Sequence, residues 1–427
     1  MDPVPPEEIA RRLRSWRMRV FVATWLCYAG YYFGRRPFYI LKSQLAQDLG
    51  FSATTLGQVG AIYLVAYALA QFLAGALGNR FGPRVMLLSG MAVSMAANVG
   101  FGVATSSSAF FVLMAVNGAA QATGWSAGVG TMASWFNRQE RGRVMGIWAT
   151  NFQAGGVAAN WLTALVLGHF DWRTALFSSL AVFAAVWLVV LVNQRNRPAD
   201  LGLPDVKDEG EVGSGDGRSD ASAGLGWTRD ATINVILVGS YYFFLKLIRY
   251  ALWSWVPFVL ARNYGLSGSD AGYVSTVFDL CGIPGVIITG WLSDKVFGAR
   301  RAGISLFMTV AMALSCLLLF AAGQVSVTMF AVAIGLIGFT LYGPDALLTG
   351  AGAMDIGSRR AATLAAGIIS GIGSCGPVVQ ELVIARMLDA KGGDLGPVFM
   401  LLLASSVAAT LLLGVVVVRN RLGHSSV

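Results

Sequence analysis

Long uninterrupted apolar runs constrain this chain more than any other feature. They lie near 18–41, 55–78, 85–104, 109–135, 143–168, 173–193, 232–261, 268–292, 302–322, 325–352, 362–388 and 395–418. Each is about the length of a helix that crosses bilayer hydrocarbon, roughly 20 residues. In hydrocarbon every backbone polar group must be bonded within the structure, so only helices and closed barrels span. Barrel strands alternate polar and apolar residues, and these runs do not. Composition agrees, with 56% hydrophobic and 12% charged residues, against about 25% charged in soluble domains. An ordinary soluble enzyme, a disordered chain and a peripheral protein with one anchor are all excluded.

Twelve spans place both termini on one side. That side collects Arg11, Arg12, Arg14, Arg17, Arg19, Arg80, Arg84, Arg138, Arg141, Arg143, Lys295, Arg300, Arg301, Arg359, Arg360, Arg419 and Arg421. The opposite loops offer only Lys42, Arg173, Arg262 and Lys391. By the positive-inside rule both termini are cytoplasmic, so the net charge of +9 reads as topology and not as nucleic-acid binding. The basic N-terminus leads into a span without a small-residue cleavage site and reads as an uncleaved first helix. The four cysteines lie in apolar runs without metal-ligand spacing and read as packing residues. The absence of any N-x-S/T sequon favours a bacterial plasma membrane.

Residues 194–230 carry 13 charged residues and seven glycines, too polar a composition to bury a core, and read as a flexible cytoplasmic linker. It divides the chain into an N-terminal bundle, 1–193, and a C-terminal bundle, 231–427. The halves repeat. GALGNRFGPR (Gly75–Arg84) follows span two and GWLSDKVFGARR (Gly290–Arg301) follows span eight, 215 positions later.

Charged residues inside the spans carry the functional expectation. In span one Tyr28, Tyr32 and Arg35 share a helical face. In span seven Tyr242, Lys246, Arg249 and Trp253 do the same, and Arg249 lies 214 positions after Arg35. Each Arg or Lys at a helix centre costs roughly 2.5–3.5 kcal/mol, so something anionic should face them. Asp279, Asp345 and Glu381 are available in the spans as counter-ions, as structural braces or as proton sites. An anionic substrate can take the counter-ion role instead of them or beside them. An arginine fork matches phosphate or carboxylate oxygens bidentately, and two forks from opposite halves can clamp a doubly charged phosphate. Arg36, which precedes Pro37, is read as ending span one and snorkelling to the interface.

The repeated loop resembles the signature of the major facilitator superfamily, G-x-x-x-D-[RK]-x-G-[RK]. Asp294 keeps its acid, and Asn79 departs from it. Arg80, Arg84, Asp294 and Lys295 are the gating-loop candidates. The resemblance implies an all-α membrane fold of 12 helices in two six-helix bundles, with substrate held near the midplane between repeats. YAGYYFGRRPFYILK, GAAQATGWSAGVGTMASWF, RGRVMGIWATNF, FDWRTAL, RPADLGLP, KLIRYALWSW, FDLCGIPG and LYGPDALL further resemble the organophosphate:phosphate antiporter family, most of all its sugar-phosphate exchangers. That resemblance implies that Arg35 and Arg249 bind phosphate, and Tyr28 and Tyr32 match cavity tyrosines. Glycerol-phosphate members have lysine at Gln71, histidine at Phe152 and an acid at Ser254, whereas Lys246 resembles the sugar-phosphate branch. Asn151 and Gln153 are candidate partners for sugar hydroxyls, or structural residues.

The expected function is exchange of an organic phosphate ester for inorganic phosphate. A proton-coupled organic-anion symporter and a transporter-like sugar-phosphate sensor are the alternatives. No nucleophile–base pair, metal cluster or phosphate-cradling glycine loop is present in the sequence, so no enzyme, cofactor, metal or nucleic-acid partner is expected. The expected partners are the organophosphate, inorganic phosphate and the lipid bilayer, with the chain acting as a monomer in the plasma (inner) membrane.

Overall fold

A computed structural model describes residues 5–206, 229–295, 301–347, 359–390 and 394–422. The side chains of Asn79, Asp294 and Lys295 lie outside this description, as does linker segment 207–228. The described residues are almost entirely helical. Among them, nine helices are long and apolar enough to cross a membrane. These are α4 (Ala53–Phe81), α5 (Pro83–Val103), α10 (Trp172–Asn193), α11 (Arg229–Asn263), α12 (Gly268–Lys295), α13 (Arg301–Ala322), α14 (Val327–Ala346), α15 (Arg359–Ala390) and α16 (Gly396–Arg421).

The three other expected spans are interrupted. Span one is α1 (Pro6–Phe33) and α2 (Arg36–Ile40), parted at Gly34 and Arg35. Span four is α6 (Ser107–Gln121) and α7 (Thr123–Trp135), parted at Ala122. Span five is α8 (Arg138–Trp148) and α9 (Asn151–Leu167), parted at Ala149 and Thr150. A short helix, α3 (Lys42–Leu49), follows α2.

Helix starts follow their caps. Ser106, Asp171 and Ser326 accept hydrogen bonds from Ala109, Thr174 and Met329 at the heads of α6, α10 and α14, satisfying amides that lack an intrahelical acceptor. The hydroxyl and amide of Thr174 hold the Asp171 carboxyl below its ordinary pKa. Asn137 and Glu140 form a reciprocal capping box on α8.

The chain forms two compact units. Met1–Phe38 and Ile62–Gly217 make the first, Tyr39–Ala61 and Arg218–Val427 the second. Within the first, α1 packs on α9 and α10, and α5 packs on α6 and α10. Within the second, α11 packs on α15 and α16, and α13 packs on α14 and α16. Span for span these are the same neighbours, which is what duplication of a six-helix unit produces.

Small residues allow the close approaches. A Cβ on Gly118 of α6 would meet the Tyr63 carbonyl oxygen of α4 at 2.3 Å, and one on Gly338 of α14 would meet that of Phe278 in α12 at 2.1 Å. The loop after span two is drawn against the end of span six. The Arg84 amide donates to Asn196 Oδ1 at 2.8 Å, and Arg84 Nη2 donates to the Leu191 carbonyl at 2.8 Å. Gly82 has φ +79°, and a Cβ there would stand 2.9 Å from Asn196. Gln194 is fully buried, bonding Thr131 and Thr24. The first residues of the expected flexible linker are therefore held on the first unit.

Gly118→Ala should lower unfolding free energy by about 1–3 kcal/mol through overpacking. Gly146→Ala, exposed inside α8 with nothing within 4 Å of the new methyl, should instead raise it by about 0.5–1 kcal/mol through helix propensity. Thermal unfolding in detergent reads both.

Candidate substrate site

In the first unit the break between α1 and α2 falls on Arg35. The guanidinium lies over the Tyr32 ring, 4.4 Å from its centroid, and 5.7 Å from that of Tyr28. Arg35 Nε and Nη2 are buried and have no hydrogen-bond partner. Buried polar groups are nearly always bonded, and a charged donor left unbonded is especially costly. Tyr28 opens an aromatic wall formed with Trp125, Trp148 and Phe152, at centroid distances of 6.0, 5.5 and 5.1 Å. Its hydroxyl is 3.5 Å from that of Tyr67, and Gln71 lies one turn further along α4, partly buried.

The structure thus brings Tyr28, Tyr32 and Arg35 together, as their spacing predicts. One neighbour differs from expectation. Arg36 does not snorkel: it is only 3% exposed, because α2 continues span one beyond the break and keeps the side chain beside Gly156 of α9. Asn151 is fully buried with Nδ2 and Oδ1 both unbonded, while Gln153 is partly buried.

In the second unit Arg249 is paired. Its Nη1 lies 2.5 Å from Asp345 Oδ2, and its guanidinium stacks on Trp253 and Tyr342 at 4.4 and 4.8 Å. Asp279 accepts from the Trp253 indole at 2.7 Å and from the Tyr342 hydroxyl at 2.5 Å. It therefore braces the two rings that carry the arginine. Lys246 lies 4.5 Å from the Tyr242 ring centroid and 3.4 Å from Ser374 Oγ.

Glu381 and Lys42 correct the sequence reading. Glu381 was left open between counter-ion, structural brace and proton site, and Lys42 was expected to lie in a loop on the face opposite the termini. Instead Lys42 is 0% and Glu381 1% exposed, and Lys42 Nζ lies 3.0 Å from Glu381 Oε2. Ser254 accepts from Lys42 at 2.6 Å and donates to Glu381 Oε1. Lys42 also sits 3.6 Å from the Trp255 ring centroid. Gly60 makes room, since a Cβ there would approach Glu381 Cδ at 2.9 Å. The sequence signal was Ser254, which stands where glycerol-phosphate members are expected to carry an acid; here the acid comes from α15.

The family profile of the Major Facilitator Superfamily matches residues 24–243 and again 238–426. The chain is 30% identical over 413 residues to a glycerol-3-phosphate transporter of Bacillus subtilis, covering 93% of this chain and 91% of that one. It is 25% identical over 425 residues to a probable hexose phosphate transport protein of Chlamydia pneumoniae, covering 95% and 92%. The chain belongs to the major facilitator superfamily, in its organophosphate:phosphate antiporter family. An inward-facing, occupied crystal structure of a bacterial homolog of the human lysosomal transporter Spinster shares the fold. Its TM-score is 0.70 at 15% identity, over 96% of this chain and 99% of that one.

As in other members of this superfamily, the chain is a multi-pass membrane protein of helical repeats. Of its gating-loop candidates, Arg80 is exposed over Phe81, and Arg84 is bound to the end of α10. The side chains of Asp294 and Lys295 lie outside the described residues.

Removing one member of a buried ion pair strands the other charge and typically costs about 3–5 kcal/mol. Glu381→Gln should destabilise this antiporter-family protein by about that much. The double replacement Lys42→Met with Glu381→Leu should recover most of the loss, read as thermal unfolding in detergent.

Proposed function

We propose that this chain is a secondary transporter that exchanges an organic phosphate ester for inorganic phosphate by alternating access. The observation that carries the reading is Arg35, a partly buried side chain whose buried Nε and Nη2 bond no protein atom. A phosphate presents oxygens that match that fork bidentately. Arg249 supplies a second fork whose resting partner, Asp345, gives way to a phosphate oxygen. Lys246 adds a point charge one turn before it. The Tyr28, Trp125 and Phe152 rings offer apolar faces for the carbon skeleton. Gln71, Asn151 and Gln153 are the polar candidates for its hydroxyls.

The relatives support an organophosphate as the organic substrate, and the doubled arginines support inorganic phosphate as its counterpart. We place the protein in the plasma (inner) membrane with both termini cytoplasmic, following its basic loops, and read it as a monomer. The chain acts as a carrier and not as an enzyme. Arg80, Arg84, Asp294 and Lys295 remain our candidates for the gating loop.

Proteoliposomes loaded with phosphate should take up labelled external phosphate, and glycerol 3-phosphate or hexose phosphates should compete. Arg35→Lys and Arg249→Lys should each abolish exchange in protein that still folds, because an ammonium cannot replace the fork. Uptake driven by a pH gradient without internal phosphate would identify a proton-coupled symporter, and binding without flux a sensor. Asp345→Asn should bind phosphate about tenfold more tightly, a hydrogen bond to a charged group contributing about 1.5–3 kcal/mol, yet exchange more slowly.

A further inference from the structure

We infer that Asn98 and Asn117 are positioning residues for Arg35, holding the helix break from which its guanidinium is presented. The inference rests on the reading of Arg35 as a phosphate ligand and adds to it the means by which the arginine is aimed.

The break leaves backbone groups without partners. The last carbonyls of a helix have no amide one turn ahead, and Pro37 lacks an N–H to offer. Gly34 and Arg35 close the end of α1 with tight bonds, their amides donating to the Tyr31 and Tyr32 carbonyls at 3.1 and 3.2 Å. The Gly34 carbonyl, one residue before Arg35, points into the interior of the first unit. There it accepts from Asn98 Nδ2 at 3.0 Å and from Asn117 Nδ2 at 2.9 Å. Both of its lone pairs are thus engaged by side chains of two other helices, α5 and α6.

These amides are themselves fixed. Asn117 Oδ1 accepts from Ser94 Oγ at 2.6 Å and from Gln121 Nε2 at 3.0 Å. Gln121 Oε1 accepts from the Tyr63 hydroxyl at 3.0 Å, and Tyr63 stacks on Tyr67 at 6.2 Å. Tyr67 in turn faces Tyr28, over which Arg35 lies. Ser94, Asn98, Asn117 and Gln121 are all buried, in a setting where hydrogen bonds are strong and loss of one is costly. Gly34 has an ordinary φ of −93°, so its need is steric. A Cβ would stand 3.0 Å from Phe183, 3.1 Å from Gln121 Nε2 and 3.1 Å from Ser94 Oγ. The network is neutral throughout. It can therefore hold the backbone of a cation without offering that cation a competing carboxylate.

The test is phosphate counterflow in proteoliposomes, read as half-saturation and maximal rate separately. Asn98→Ala and Asn117→Ala should each raise the half-saturation for phosphate about threefold, and the double variant about tenfold, with maximal rate within twofold of the parent. Gly34→Ala should give the same shift. Gly239→Ala serves as the comparator, because its methyl would press on Ile372 at 2.8 Å in the second unit and touches neither the Gly34 carbonyl nor the amides that hold it. An unchanged half-saturation in the folded asparagine variants would overturn the inference, as would an equal shift in Gly239→Ala. If the double variant does not fold, the single variants and Gly34→Ala decide by the same criteria. Arg35→Lys is run alongside. Exchange with parental half-saturation there defeats the phosphate reading itself, whereas loss there with parental asparagine variants defeats only this inference.

Discussion

The cost of holding cations in an apolar interior organises this protein. An unpaired ammonium or guanidinium in a span is expensive, so each must be answered locally. The second unit answers with acids of its own: Lys42, Lys246 and Arg249 are matched in number by Asp279, Asp345 and Glu381. Lys42 and Glu381 are both buried and are bonded to each other and to Ser254. The first unit contributes Arg35 and Arg36 and, among its described residues, no buried carboxylate. Around Arg35 it supplies tyrosine faces instead, which attract a cation without neutralising it.

The same contrast shows how the two repeats have diverged. Their helices keep equivalent neighbours, and their arginines remain 214 positions apart. Yet span one breaks at its arginine, whereas α11 runs unbroken through Arg249. A continuous helix positions a side chain through its own backbone bonds. A break must borrow partners, and Asn98 and Asn117 supply them. A carboxylate on Arg249 and a pair of amides behind Arg35 are two solutions to placing the same side chain.

Much of this was legible in the sequence because it is periodic. Spans announce themselves by length and hydropathy, and shared faces by spacings of three, four and seven. The tyrosines around Arg35 and the Trp253 ring beside Arg249 follow from those spacings alone, whereas Tyr342, which reaches Arg249 from α14, does not. Pairings across distant segments did not follow. Lys42 and Glu381 are 339 positions apart, and nothing local distinguishes a loop lysine from a buried one. Arg36 was misjudged because Pro37 signals a helix end, when the chain re-enters a helix at Arg36 after a break of only two residues. The amide network was invisible for the same reason, since Ser94, Asn98, Asn117 and Gln121 read singly as small polar residues in apolar runs.

Under the proposed exchange, the unequal treatment of the two arginines has an energetic consequence. Alternating access requires a passage in which water is largely excluded from the bound ion. Arg249 can make that passage empty, because Asp345 already neutralises it. Arg35 cannot do so cheaply, since its buried Nε and Nη2 bond no protein atom. A bound phosphate group supplies the missing acceptors whether it is inorganic or part of an ester. The barrier to conformational change is then lowest when either substrate is present and highest when neither is. A carrier built in that way returns loaded, which is the condition for exchange in place of net leakage.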